Sequence, residues 1–248
     1  MPPVPPHTVR PIQHLDLRLV SRAWPFADER RAEIDAYFAG LKRDKPALWN
    51  GRVLVLCEHK LDGEALSGNY LETDFASFIA WRDWGFPDRA MRNCFAHAAI
   101  LSADGAFLLG EMGAHTANAG QRYFPGGTPD PSDVFDGRVE LERSLYRELA
   151  EETGLTAADI RAEAHWRAVW AEPRIAMMRV LRSPEPAGAL RERILRHIGA
   201  DPAPELADIH IVCNAGDLDA RVPSFVQAFL FHFWREADRR GARAPSAS

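Results

Sequence analysis

Hydrophobic and polar positions in this chain change period several times between residues 15 and 240. LDLRLV (15–20) alternates as a half-buried strand does. FADERRAEIDAYFAGLK (26–42) recurs at helical spacing, with Ile34, Phe38 and Leu41 on one face. Gly51 precedes RVLVLCEHKL, a strand-like run, and ALSGNYLET reads as its return strand. Thr73 or Asp74 is placed to cap a helix over DFASFIAWRDWGF. Phe75, Phe78, Ile79 and Trp81 supply its inner side, and Gly85-Phe86-Pro87 stops it. From Cys94 onward, CFAHAAILSADGAFLLGEM holds two apolar runs joined by Ala-Asp-Gly, a hairpin signal. A loop rich in Gly, Ala and Asn and the segment YFPGGTPDPSD then lead into a helical pattern that ends in RELAEETGL. Residues 165–171 and 174–181 read as a second hairpin across Glu172-Pro173. ALRERILRHIG (189–199) reads as an amphipathic helix ended by Gly199, ADIHIVC as a strand, and PSFVQAFLFHFWREADRR (223–240) as a long last helix.

Strand pairs alternating with helices predict an α/β (α+β) architecture, a mixed sheet between helices. The pattern divides into a Pro-rich lead-in (1–13), a compact α/β piece (14–88), a second unit (89–240) and a small, polar tail (241–248) expected to be disordered. There is no internal repeat.

Composition narrows the function classes. With 248 residues, 46% hydrophobic and 26% charged, the chain suffices for one large domain or two small ones. A net charge of −5 gives no excess of Lys and Arg for a nucleic-acid backbone or an anionic membrane, so neither is an expected partner. No run of 18 apolar residues exists, and MPPVPPHTVR lacks the apolar core of a signal peptide. Cys57, Cys94 and Cys213 are far apart and odd in number, which argues against a thiolate zinc site or a disulfide framework. Buried free thiols in a reducing cytoplasm are the expectation.

RELAEETGL (147–155) carries the chemistry. At about 100° per residue, with Glu148 as zero, Glu152 falls at about +40° and Glu151 at about −60°, while Leu141, Leu145 and Leu149 fall at about +20°, +60° and +100°. Glu148 and Glu152 therefore share the leucine arc, and Glu151 lies at its margin. A solvated acidic face would sit opposite the leucines. Carboxylates on the buried side need a cation, a metal or several donors.

FPGG (124–127) followed by RELAEETGL resembles the signature of the Nudix hydrolases, in which G, five residues, E and seven residues precede R-E-U-x-E-E-x-G-U, U being aliphatic. The second half is complete, in Arg147, Glu148, Leu149, Glu151, Glu152, Gly154 and Leu155. The first half is lengthened by six residues within TPDPSDVFDGRVELE. Counting forward from Gly127 puts the upstream carboxylate at Asp133, and counting back from Arg147 puts it at Val139. Neither is a glutamate, and the upstream position stays unassigned. The resemblance covers residues 94–240. It implies a Nudix-type α/β/α sandwich with a mixed sheet, preceded by an N-terminal α/β extension. It implies Mg²⁺ or Mn²⁺ on Glu148, Glu151 and Glu152, with Arg147 fixing a glutamate by a salt bridge. Gly126 and Gly127 let the loop approach substrate, and Gly154 ends the helix. The implied reaction is attack of water on the P–O–P bridge of a nucleoside diphosphate derivative.

The general base stays open; Glu205, before a strand, is a candidate, though it reads first as a solvated loop residue. Arg122 is a candidate substrate contact, as is His115. His97, on an apolar strand, reads first as a packed core histidine. Trp166 and Trp170, four apart on a strand, point to one face and read as core. Phe229, Phe231, Phe233 and Trp234 cover the last helix almost all round and read first as core; a helix apolar on several sides is also a candidate contact for a second copy of the chain. KPALWNG, GNYLETDF and SFIAWRDWGF loosely resemble the N-terminal region of Nudix enzymes that split UDP-glucose and UDP-galactose, which implies a nucleotide-sugar substrate; ADP-ribose, other dinucleotides and damaged nucleoside triphosphates stay open beside it. The alternative is a Nudix-fold module that binds a nucleotide without hydrolysing it. Loss of metal-site glutamates would favour that module, and here all three remain.

Overall fold

The structure, a computed structural model, describes residues 7–241; apart from Gly241, the tail expected to be disordered lies outside the described residues. Strands β1 (Thr8–Ile12) and β2 (His14–Leu19) are followed by helices α1 (Pro25–Glu29) and α2 (Arg31–Asp44). The hairpin β3 (Arg52–Asp62) and β4 (Ala65–Asp74) then runs into α3 (Phe75–Asp83). Next come β5 (Asn93–Leu101), β6 (Phe107–Met112) and the short strands β7 (Arg122–Tyr123), β8 (Gly126–Gly127), β9 (Val134–Phe135) and β10 (Arg138–Val139). Helix α4 (Leu141–Thr153), β11 (Arg161–Ala171), β12 (Arg174–Arg182), α5 (Ala187–Ala200), β13 (Leu206–Val212) and α6 (Ser224–Gly241) complete the chain.

The larger sheet runs β1-β11-β12-β5-β6-β13. β12 and β5 are parallel along their whole length, and β5 is buried at every position, as expected of a central strand covered on both faces. The predicted β5–β6 hairpin forms but stays paired only at Leu101 and Phe107. Beyond that the strands splay. β8 pairs with β5 at Ala96 and His97, and β7 pairs with β6 at Gly110 and Glu111. The Arg122–Gly127 segment is thus wedged into the mouth of the hairpin.

The covering layers follow from strand alternation. Gly127, opposite Ala96, would drive a Cβ to 2.7 Å from the Glu148 carboxylate, so this face meets α4. Phe95 and His97, of opposite parity, hold their rings 5.5 Å and 5.8 Å from Phe225 of α6. Helices therefore cover both faces, and the mixed α+β sandwich matches the expected class. Asp74 is the α3 cap: its carboxylate accepts from the Ser77 N–H at 2.7 Å. Gly154 ends α4 at φ 70°, as anticipated. Trp166 is buried and Trp170 partly so, both against the main core. Phe229 is fully buried, and Phe233 and Trp234 pack on the same core, so much of α6's apolar surface is covered within the chain. Among the described residues the exposed large hydrophobics are Trp49 and Phe135. No helix of the described residues is long and apolar enough to cross a membrane. All three cysteines are free; Cys57 and Cys94 are buried, whereas Cys213 is exposed, contrary to expectation.

Two differences matter for the site. Residues 8–12, assigned to the lead-in, form β1 on the sheet edge, pairing Thr8 with Trp170 through Ile12 with Trp166. An edge strand tolerates Pro11, whose missing N–H need not enter a ladder, and the prolines around TVRPI mask its pattern. Second, the six extra residues of the box are Val134–Val139, which fold as the β9–β10 hairpin. This hairpin joins a second sheet, β3-β4-β2-β10-β9, through Arg138 and Arg18. The expected division at residue 89 is thus crossed by a sheet. It is also crossed by one core, in which Leu54, Leu56 and Tyr70 pack with β5, and the Tyr70 hydroxyl donates to the Cys94 carbonyl at 3.0 Å.

Ile12 is fully buried in that core. Ile12→Ala is expected to lower stability by roughly 2–5 kcal/mol in urea unfolding. A shift under about 0.5 kcal/mol, typical of an uncoupled surface site, would restore the lead-in reading.

Candidate active site

The box helix presents its glutamates as the phase calculation requires. Glu152 is buried, Glu148 is largely covered, and Glu151 at the arc's margin is exposed. They line a cavity of about 180 Å³ together with Glu205, Asp201 and His197. Glu205 is therefore brought to the cluster, although it sits outside the box. Asp201 and His197 were missed, because they lie at the end of α5 with no motif around them. The signal, had it been used, is that His197 closes an amphipathic helix facing α4. Its Nε2 bonds the Glu151 carbonyl at 2.9 Å, and its ring fills the space a Cβ on Gly154 would need.

Arg147 orders this face. Its Nε and Nη2 donate to the two oxygens of Asp133, at 3.2 and 2.9 Å, and its Nη1 reaches Glu148 (3.0 Å) and Glu151 (3.2 Å). Burial works against the guanidinium charge, but the Asp133 hydrogen bonds and the surrounding carboxylates raise its pKa well above the usual value. Asp133 itself is fully buried. The position left unassigned upstream of the box is thus filled, in its contact with Arg147, by the aspartate reached by counting forward from Gly127. The chain leaves at Asp133 for the β9–β10 excursion and returns at Glu140, whose N–H donates to the Asp133 carbonyl at 2.9 Å.

Gly126 and Gly127 are dictated by close approach. Gly126 has φ 147°, and a Cβ there would meet the Ala96 carbonyl at 2.1 Å. On Gly127 it would strike Glu148. The Gly126 N–H donates to Glu152 at 3.1 Å, and this is the one hydrogen bond Glu152 receives among the described residues. Both glycines also line a second cavity of about 450 Å³ between α3, β5 and the start of α6, which includes His97, Tyr123 and Phe225. Arg122 is not brought to either cavity. It is engaged by Glu111 at 2.8 Å and Asp219 at 3.1 Å. His115 is exposed and packs beside Gly113.

The electrostatics are those of a site short of positive charge. Burial, opposed by Arg147 and reinforced by Glu205 and Glu151, pushes the Glu148 carboxyl up to about 7. Burial, then Glu148 and Glu205, push Glu152 well above the ordinary carboxylate range. Among the described residues no three His, Cys, Asp or Glu groups already converge as a metal cage. The donor set nevertheless fits a hard divalent cation: oxygen ligands only, on one rigid helix, crowded by like charge in a covered place.

Several solved structures are similar to this chain at low sequence identity. Among them are the Nudix hydrolase RenU from M. Smegmatis (16% identity, 62% of this chain and 88% of that one, TM-score 0.37) and the MutT protein from Methanosarcina mazei Go1 (22%, 59% and 95%, TM-score 0.39). A third is a bifunctional NMN adenylyltransferase/ADP ribose pyrophosphatase from Francisella tularensis, complexed with AMP and a Mn ion (16%, 58% and 42%, TM-score 0.39). No family model and no curated protein matches the chain.

Because the folded Glu148 holds a proton up to about 7 while its ordinary value is 4.5, the native state binds more protons than the unfolded chain between those values. Stability of the metal-free protein is then expected to fall as pH rises through that window. Glu148→Gln should flatten the fall, read as urea midpoints measured in chelator below 4.5 and above 7. Identical pH slopes in wild type and variant would contradict the buried, charge-crowded carboxylate.

Proposed function

We propose that this chain is a Nudix hydrolase that uses water to cleave the P–O–P bridge of a nucleoside diphosphate linked to another group. The observation that carries the reading is the burial of Glu148 and Glu152 on the apolar side of α4, beside Glu205 and against Gly126-Gly127, with one N–H on Glu152. A structural glutamate would face solvent or have its charge answered; Glu152 is buried with one N–H and, among the described residues, no cation, and Glu148 shares its one cation, Arg147, with Asp133 and Glu151. Glu148, Glu151 and Glu152 are assigned to hold Mg²⁺ or Mn²⁺. When bound, that ion neutralises phosphate charge and lowers the pKa of a water.

The chain's own residues then divide the work. Arg147, anchored on buried Asp133, holds Glu148 and Glu151 in orientation. Glu205 shares the cavity from a separate loop and is assigned to orient or deprotonate the attacking water. Gly126 and Gly127 carry no side chains, so the diphosphate can lie along their backbone, with the rest of the substrate in the larger cavity. Within this class the N-terminal segments that resemble UDP-sugar enzymes favour a nucleotide sugar, split to a nucleoside monophosphate and a sugar phosphate.

The test is product release from UDP-glucose, ADP-ribose, a diadenosine polyphosphate and a nucleoside triphosphate, with Mg²⁺ or Mn²⁺. One compound is expected to turn over only with metal, and Glu151→Gln and Glu152→Gln to lose at least about 100-fold in kcat/KM. Tight binding without turnover of any compound would instead make the chain a nucleotide-binding module.

A further inference from the structure

Arg174, the first residue of β12, carries a guanidinium that no described carboxylate pairs with. It lies 4.8 Å from the centroid of the Phe86 ring and lines the 450 Å³ cavity. Burial and the neighbouring Arg82 both hold its pKa below the ordinary value. Arg82 lines the same cavity, with Nε on Asp83 at 2.7 Å and Nη1 on Asn118 at 2.9 Å. Asp83 is the one carboxylate in the lining, and it also accepts from the Tyr37 hydroxyl at 2.9 Å. The cavity thus holds two guanidinium groups and a single carboxylate, which pairs with Arg82 and not with Arg174. Unpaired charge in a covered place is unfavourable unless something answers it.

The same wall also holds an unpartnered polar atom. His97 is 3% exposed, and its Nδ1 has no hydrogen-bond partner among the described residues. The ring is packed against Phe95 at 5.0 Å and Tyr123 at 5.4 Å, and it lines this cavity. Burial lowers its pKa to about 3, which leaves a neutral imidazole with an unused nitrogen.

Register gives the distance scale. Arg174 pairs with Asn93, and Gly127 with Ala96 on the same strand, so the two stand three residues apart along β5, about 10 Å. The backbones thus stand farther apart than a P–O–P bridge is long, which puts Arg174 nearer the part of a substrate beyond a diphosphate lying at the glycines. Resting on the function proposed above, we propose that Arg174, with Arg82 beside it, forms an anion-binding subsite. It selects substrates whose end remote from the scissile bridge carries a phosphate or a carboxylate.

The experiment uses matched pairs that differ by one remote anion: UDP-glucose and UDP-glucuronate, NADH and NADPH, dephospho-coenzyme A and coenzyme A. The readout is the ratio of kcat/KM within each pair, for wild type, Arg174→Gln and Arg174→Lys, with thermal unfolding as the folding control. Wild type is expected to favour the charged member of at least one pair by about tenfold or more, as one charge-assisted contact provides. The preference should fall to within about twofold in Arg174→Gln and persist in part in Arg174→Lys. Arg82→Gln serves as the second variant should Arg174→Gln not fold. The carboxylate pair and the two phosphate pairs separate the two anion chemistries. No preference in any pair, or a preference unchanged in Arg174→Gln, overturns the subsite. If nothing turns over, the function proposed above falls, and calorimetric Kd ratios on the same pairs decide the subsite by the same criterion; failure of every charged member to bind also overturns it.

Discussion

The ion pair between Arg147 and Asp133 is the interaction on which the site is built. Asp133 is fully buried, and a buried carboxylate left without its partner is destabilising by about 3–5 kcal/mol. Both its oxygens are taken by Arg147, which fixes the side chain one residue before Glu148 on α4. The loop after the glycines is thereby tied to the helix that carries the glutamates. It is also tied to the N-terminal sheet, because the Leu54 N–H donates to the Pro129 carbonyl at 2.8 Å. Six inserted residues can leave and re-enter at this point without moving either end. The excursion opens just after Asp133 and is closed by the Glu140 N–H.

The second constraint is the width of the gap between β5 and the box helix. Gly126 and Gly127 fit there because no Cβ would: one would collide with the Ala96 carbonyl, the other with Glu148. That closeness sets the electrostatics as well. With β8 pressed onto β5, Glu152 is sealed against the Gly126 N–H and Glu148 is kept from water, so the proximity of the two like charges is felt in a low-dielectric place.

The strands, helices and glutamate phase could be read from the sequence wherever a single periodicity persisted over a whole element. The burial order of Glu152, Glu148 and Glu151 follows from helical angles alone. What could not be read depended on long-range closure. TVRPI pairs with a strand more than 150 residues away, and its prolines hide the alternation. The register of Asp133 against Val139 is decided by a hairpin that joins another sheet, which counting along the chain does not reveal. Arg122 looked available because its partners, Glu111 and Asp219, lie on a neighbouring strand and in a distant loop. His197 and Asp201 reach the cavity through α5 packing on α4, and Glu205 through the loop that follows. Glu205 is open to naming from the sequence by its place before a strand, whereas no motif marks His197 or Asp201.

The N-terminal piece acquires a physical reason in this arrangement. Its helix α3 contributes Phe78 and Arg82 to the wall of the larger cavity, and Tyr37 of α2 holds Asp83 beside them. The glycine backbone lines the larger cavity and touches Glu148 and Glu152 of the smaller one, and the two cavities carry opposite needs for charge: carboxylates short of a cation on the α4 side, guanidinium groups short of an anion on the α3 side. Tyr123 lies between these fields, its hydroxyl kept protonated chiefly by burial, with Glu152 and Glu205 acting in the same sense and Arg82 against it. An anionic diphosphate that brings a divalent cation to the first cavity and a further negative group to the second answers both imbalances at once. A neutral ligand, or a bare cation, answers at most one. That is why the charge pattern across Gly126 and Gly127 favours a single elongated, polyanionic substrate over two unrelated sites.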